Sequence, residues 1–186
     1  MLAVAVMVPF LLADWAYQRV GPSPLPGGAL DETAHALTAA LVLLALGWRL
    51  DGRFARAALV ASVAIDIDHV PGELGMRWLT AGTPRPYTHS LIVLVPLALA
   101  AVCARGRRDI VLGVLFGIAV HFWRDLGETG SSVALWWPFS SRGVAVSHAL
   151  VLASVCAAFA IAVLRGLLPW RVPRAQPVAA EQRALA

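Results

Sequence analysis

The chain contains no lysine, and only 14% of its 186 residues are charged. A soluble domain usually carries about 25% charged residues. That shortage excludes a water-soluble globule of this size, because 59% of the residues are apolar and would have to be hidden. It excludes a disordered chain for the same reason. Two cysteines, Cys103 and Cys156, are too few for a disulfide scaffold. Both lie inside apolar runs, which predicts small buried side chains and no bridge between them. What remains is an integral membrane protein of several helices. The 15 basic residues, all arginine, outnumber the 11 acids and give a net charge of +4. Their placement fits a membrane rather than a nucleic acid.

Six apolar segments stand out, at roughly 2–16, 34–48, 54–67, 91–104, 110–122 and 145–164. They predict an all-α fold: a polytopic transmembrane helical bundle of about six helices over residues 1–168, or five helices if the first is cleaved as a signal peptide. The first segment lacks a basic leader and a small-residue cleavage site, which favours its retention. Residues 169–186 are rich in Pro, Ala, Arg and Gln, and predict a disordered cytoplasmic tail. The third segment is short. Nine residues separate Arg56 from Asp66, about 14 Å of helix. Its far end, with Asp66, Asp68 and His69, is therefore expected at or below the headgroup level. Ten arginines fall in the 2–3 and 4–5 connections and after the sixth segment; five fall on the other side. The positive-inside rule puts the ten in the cytoplasm of a bacterial-type inner membrane.

Under that topology His35, His69, His89, His121 and His148 all lie at extracytoplasmic helix ends, with most of the acids. Ionisable groups near a bilayer core are costly and are read as functional by default. His121 and Asp125 stand at i and i+4, one helix face, a good pair of metal ligands. Asp66-Ile67-Asp68-His69 closes another helix, and Asp66 and His69 share a face there. Thr88-His89-Ser90 opens the fourth helix, and Asp31-Glu32-Thr33-Ala34-His35 opens the second. Bundles build metal sites from inward side chains on facing helices. The set His35, Asp66, His89, His121 and Asp125 therefore predicts one shared centre. Asp31 or Thr33 reads as an N-cap, Asp14 as a polar partner within the bundle, and Trp136 and Trp137 as an interfacial belt. His148 has no acid four residues on and stays outside the set.

The order of motifs resembles a known family. His35 is followed by Asp66-Ile67-Asp68-His69, then Arg85-Pro86-Tyr87-Thr88-His89-Ser90, then His121 to Asp125, then Thr129-Gly130 and Leu135-Trp136-Trp137-Pro138-Phe139-Ser140. Over roughly residues 30–148 this is similar to the YdjM-like family of inner-membrane metal-dependent hydrolases, itself distantly similar to zinc-dependent phospholipase C. The resemblance implies a helical, membrane-bound hydrolase with His35, Asp66, His89, His121 and Asp125 as ligands, Asp68 and His69 flanking them, and Arg85 in the family's place before Thr-His-Ser. Pro84-Arg85-Pro86 departs from the His-Arg-Gly that the family often has there. Ser141-Arg142 followed by His148 also looks like the third motif of membrane phosphatidate phosphatases. Their first motif needs a lysine, however, and Leu152 stands where an acid is required.

The chemistry expected is metal-assisted hydrolysis. A Zn²⁺ centre (Mn²⁺ or Fe²⁺ as alternatives), of one or two ions, lowers the pKa of bound water toward 7. Asp68 is expected to act as general base. Arg85 or Arg124 is expected to hold a phosphate, although Arg124 also reads as an interfacial arginine that snorkels. The expected partners are the lipid bilayer and a lipid-like or small phosphoester substrate, not a nucleic acid. The rival readings are a structural or sensory metal site without catalysis, and a metal-ion transporter. The almost purely Leu, Val and Ala cytoplasmic halves of the segments argue against an ion path.

Overall fold

The computed structural model describes residues 1–23, 25–80 and 82–167. The tail predicted at 169–186 lies outside the described residues. Six helices of ten or more residues form: α1 (Leu2–Val20), α2 (Gly27–Ala45), α3 (Arg53–Ala64), α5 (Leu94–Cys103), α6 (Arg108–Asp125) and α7 (His148–Leu167). A 3₁₀ turn, Ile65–His69, extends α3 and runs into the single-turn helix α4 (Val70–Glu73). Another, Leu91–Val93, leads into α5. Among the described residues there is no β-strand, only an isolated antiparallel bridge between Val133 and Val144. The all-α expectation holds. By length and composition, two described helices are long and apolar enough to cross a membrane, α2 and α7.

The helices pack as two interlocked groups. α1 and α7 lie against α2, sharing a core that includes Phe10, Leu41 and Val155. α3 and α5 lie against α6, with Ala58, Ala61, Ile118 and Phe122 inside. α2 also touches α3 and α6, which joins the two groups.

The α3–α6 crossing is unusually close. A Cβ placed on Gly113 would meet the Phe54 carbonyl oxygen at 2.3 Å, and one on Gly117 would meet that of Ala58 at 2.2 Å. Glycines at i and i+4 are what allow two helix backbones to approach this far. The consequence is a fixed register. One turn beyond Gly117 is His121, and one turn beyond Ala58 is Ser62; these two meet.

Two local expectations fail. α2 begins at Gly27, seven residues before the hydropathy rise, and has no side-chain cap of its own. Ser23 supplies the capping instead. Its hydroxyl accepts from the Gly27 N–H at 3.1 Å, and its carbonyl accepts from the Gly28 N–H at 2.7 Å. Asp31 and Thr33 are thus inside the helix rather than at its cap. Cys103 and Cys156 are free, as expected, but exposed rather than buried. Each sits on an outward helix face that is itself apolar, where a small hydrophobe is equally at home.

Candidate metal centre

Four side-chain atoms from three parts of the chain converge at the end of the α3–α6 crossing. Asp66 comes from the 3₁₀ turn that ends α3. His89 stands just before the turn leading into α5, where the Ser90 hydroxyl donates to the Tyr87 carbonyl at 2.6 Å. His121 and Asp125 come from the last turns of α6. Nε2 of His89 lies 3.1 Å from Nε2 of His121 and 3.0 Å from Oδ1 of Asp66. Oδ2 of Asp125 lies 3.2 Å from Nε2 of His121 and 3.5 Å from Nε2 of His89. Nε2 of His121 is 3.5 Å from Oδ1 of Asp66. A tetrahedral ion with bonds of about 2.0–2.1 Å needs its ligand atoms about 3.3 Å apart. The five distances above bracket that value.

The second nitrogen of each imidazole fixes the first. Nδ1 of His121 donates to the Ser62 carbonyl at 2.9 Å, and Nδ1 of His89 donates to Oδ2 of Asp68 at 3.1 Å. With the proton held on Nδ1, both Nε2 lone pairs point into the same space. That is the arrangement in which a histidine ligates a metal. Two such lone pairs 3.1 Å apart repel unless a proton or a metal cation lies between them.

His35 extends the site. Its ring stacks on that of His121 with centroids 3.9 Å apart. Its Nε2 is 3.3 Å from Oδ1 of Asp125 and 3.7 Å from Oδ1 of Asp31. Glu32, on the same helix, is in hydrogen-bonding contact with Asp66. Oε2 of Glu32 is buried and without a hydrogen-bond partner, while Oδ1 of Asp31 and Oδ1 of Asp125 have only the ion-pair contacts to Arg124 and His35. Orphaned buried acceptors of this kind are rare in proteins and call for an ion or water. The residues present therefore fit a divalent cation. His35, His121 and Asp125 form one group that could hold an ion, and Asp66, Asp68, His69 and His89 form another.

His69 lies on the rim, its side chain 36% exposed, with Nδ1 at 3.1 Å from Asp66 and 3.0 Å from Asp68. Burial pushes this imidazole down, but the two carboxylates outweigh it and raise the group to about 9. Burial pushes Asp68 up, and hydrogen bonds from His69 and His89 outweigh that, holding it at about 2. Thr88 also donates its hydroxyl to Asp68.

Both arginines singled out from the sequence are engaged by protein. Arg85 is buried. Its Nη1 donates to Oδ2 of Asp125 at 3.1 Å, its Nε to the Ser131 hydroxyl at 3.2 Å, and its Nη2 pairs with Glu128. Arg124 does not snorkel: it is 2% exposed, with Nη2 at 3.2 Å from Asp31 and 3.4 Å from Asp14. Asp14 also accepts from Nε2 of His148 at 3.1 Å, so that histidine serves the bundle and not the centre. Tyr17 donates to Glu128.

Every ligand-type residue expected from the sequence thus reaches one region. Missed were Asp31, Glu32 and Glu128. Asp31 and Glu32 precede His35 by four and three residues, the same one-face spacing that exposed the His121–Asp125 pair.

No curated protein and no solved structure matches the chain. A family model does, described as YdjM inner membrane protein, and it matches residues 30–184. That span takes in His35, the α3–α6 crossing and every side chain that points at the centre, and on it the chain belongs to the YdjM inner membrane protein family.

Proposed function

We propose that this protein is a polytopic, membrane-bound, metal-dependent hydrolase acting on an ester or phosphoester of a lipid-like substrate. The observation that carries the reading is the convergence of Nε2 of His89, Nε2 of His121, Oδ1 of Asp66 and Oδ2 of Asp125, at 3.0–3.5 Å along the contacts between them, with the buried carboxyls of Asp31 and Glu32 beside it. One or two divalent ions, Zn²⁺ by the mixed N/O donor set, supply Lewis acidity there and make water nucleophilic near neutral pH.

The chain's own groups divide the remaining work. Asp68 and the Ser62 carbonyl hold His89 and His121 in their ligating tautomers. Arg85 orients Asp125 and offsets its charge. Asp68 is the base expected from the sequence, but its oxygens are committed to His89, Thr88 and His69. His69, on the exposed rim, lies where a leaving group would depart.

The membrane setting rests on the outer surface as well as on the family. Leu2, Val8, Leu12 and Trp15 of α1 are exposed, as are Val95, Leu99 and Val102 of α5 and Leu150, Ile161 and Leu164 of α7. Contiguous apolar faces of this extent belong against lipid. The arginine distribution then sets the metal centre toward the extracytoplasmic side, with the α2–α3 and α5–α6 connections in the cytoplasm.

A second reading is favoured by one feature: four protein ligands closing a tetrahedron are typical of a structural zinc site. The two separate on measurement. The hydrolase reading expects detergent-purified wild-type protein to carry zinc and cleave a panel of phosphodiesters and esters. It expects chelation to abolish cleavage, and His121→Ala and Asp125→Ala to lose both metal and activity. Metal bound without turnover of any panel member would favour the structural site; unchanged metal content in both variants would overturn the centre itself.

A further inference from the structure

A groove of about 730 Å³ runs along the outside of α3 and ends at the metal centre. Its walls are nearly all apolar. α3 contributes the small residues Ala57, Ala61 and Ala64, and α6 contributes Val114 and Ile118. The groove exists because α3 and α5 both pack on α6 and scarcely on each other, leaving the face of α6 between them uncovered. Arg53 and Arg56 close one end. At the other end the lining turns polar, at Asp68 and Thr88. These two residues are bonded to each other, and Asp68 is bonded to the ligand His89. The groove thus ends at a residue that hydrogen-bonds the ligand His89.

We propose that this groove receives one hydrocarbon chain of a bilayer lipid, whose ester or phosphoester head is thereby placed at Asp68 and Thr88 beside the metal centre. Its length fits. From Ala57 to Asp68 is about 17 Å at the helical rise, and one leaflet of hydrocarbon is about 15 Å deep. Its width fits a chain. About 730 Å³ spread over that length has room for an alkyl chain. Its depth fits too. The twelve residues of α3 rise about 18 Å, short of the roughly 30 Å hydrocarbon core. The centre at its end therefore lies within reach of a lipid that enters sideways from the bilayer.

The proposal deepens the hydrolase reading by naming the substrate class, and depends on it only for the fate of the head. Its test is separable. The full chain in lipid nanodiscs is photolabelled with a long-chain alkyl phosphate ester carrying a diazirine at the tail, and the adducts are mapped. Adducts are expected on Ala57, Val60, Ile110 and Val114, toward the end of the groove away from Asp68. They should fall about tenfold or more in Ala64→Trp, which fills the groove from an exposed position, because several buried methylenes are displaced. Leu164→Trp, on the outer face of α7, should leave them unchanged. Labelling spread evenly over the exposed faces of α1 and α7, or retained in Ala64→Trp, overturns the groove. Zinc content and cleavage of a short, soluble ester are measured in parallel. If they fail while the groove still labels, the hydrolase reading falls and the lipid site stands. If soluble-ester cleavage survives in Ala64→Trp while labelling is lost, both stand.

Discussion

A methyl group added at residue 117 has nowhere to go. Its Cβ would lie 2.2 Å from the carbonyl oxygen of Ala58 and 3.0 Å from the Ala58 Cα. Both obstacles are backbone, so no side chain can swing aside. Restoring ordinary contact requires α3 to retreat by about 1 Å. Overpacking of this kind costs about 1–3 kcal/mol. The more telling effect is one turn away. Ser62 holds Nδ1 of His121 at 2.9 Å, and a retreat of about 1 Å takes that contact outside hydrogen-bond range. Asp66, carried by the same helix, withdraws from His89 and His121. Loss of a group that orients a metal ligand typically costs about 10–100-fold in affinity. Gly117→Ala is therefore expected to melt earlier in detergent and to bind zinc at least about tenfold more weakly in competition with a chromophoric chelator. The control is Gly166→Ala in α7, where nothing lies within 4 Å of a new Cβ; it should match wild type on both counts. If Gly117→Ala kept wild-type zinc affinity, the close crossing would not be what builds the centre, and the reasoning would fail.

Other outcomes follow from the same contacts. Asp68→Asn should weaken zinc binding about 10–100-fold without abolishing it, since the residue orients His89 rather than closing the tetrahedron; a complete loss, read by equilibrium dialysis, would make it a ligand. Arg85→Met strands Asp125 and Glu128 and is expected to cost about 3–5 kcal/mol in thermal or denaturant unfolding. Arg85→Lys should recover little of that, because a single ammonium cannot reach Asp125, Ser131 and Glu128 together. Removing metal with a chelator should lower the midpoint of thermal unfolding, and adding zinc back should restore it, since a ligand that binds only the folded chain stabilises it; a midpoint indifferent to both would contradict a centre at the α3–α6 crossing. Elemental analysis should fall by one ion in His35→Ala and further in His121→Ala, which lies between the two groups; equal loss in both would point to a single ion.

The clustering of the ligand-type residues was legible because their spacings are local. His121 and Asp125 are one helical turn apart, and Asp66 and His69 are one turn apart in the 3₁₀ geometry that residues 65–69 adopt. The division of labour inside Asp66-Ile67-Asp68-His69 was not legible, because it depends on His89 arriving from more than 20 residues away. Asp31 passed for a cap because hydropathy alone set the start of α2, while the true capping group, Ser23, lies in the loop before it. Arg124 resembled an interfacial arginine because its partners, Asp14 and Asp31, come from other helices. Gly113 and Gly117 sit within an apolar run, and only the approach of α3 gives their spacing a meaning.

Charge connects these separate readings. Asp14, Asp31, Glu32, Asp66, Asp68, Asp125 and Glu128 belong to one linked network, in which Arg85 and Arg124 are the guanidiniums. Seven carboxyls against two arginines would be prohibitive beside a low-dielectric interior if nothing else offset them. Both arginines are placed on the flanks: Arg124 between α1 and α2, and Arg85 toward the loop that carries Glu128 and Ser131. Neither pairs with Asp66 or Glu32 in the contacts above, and Oδ1 of Asp125 faces His35. The negative charge is thus balanced by arginine at the edges, and toward the middle only by imidazoles, among them His69 beside Asp66 and Asp68. That distribution is the one a divalent cation completes, and it holds the same side chains that a purely structural network would have paired off.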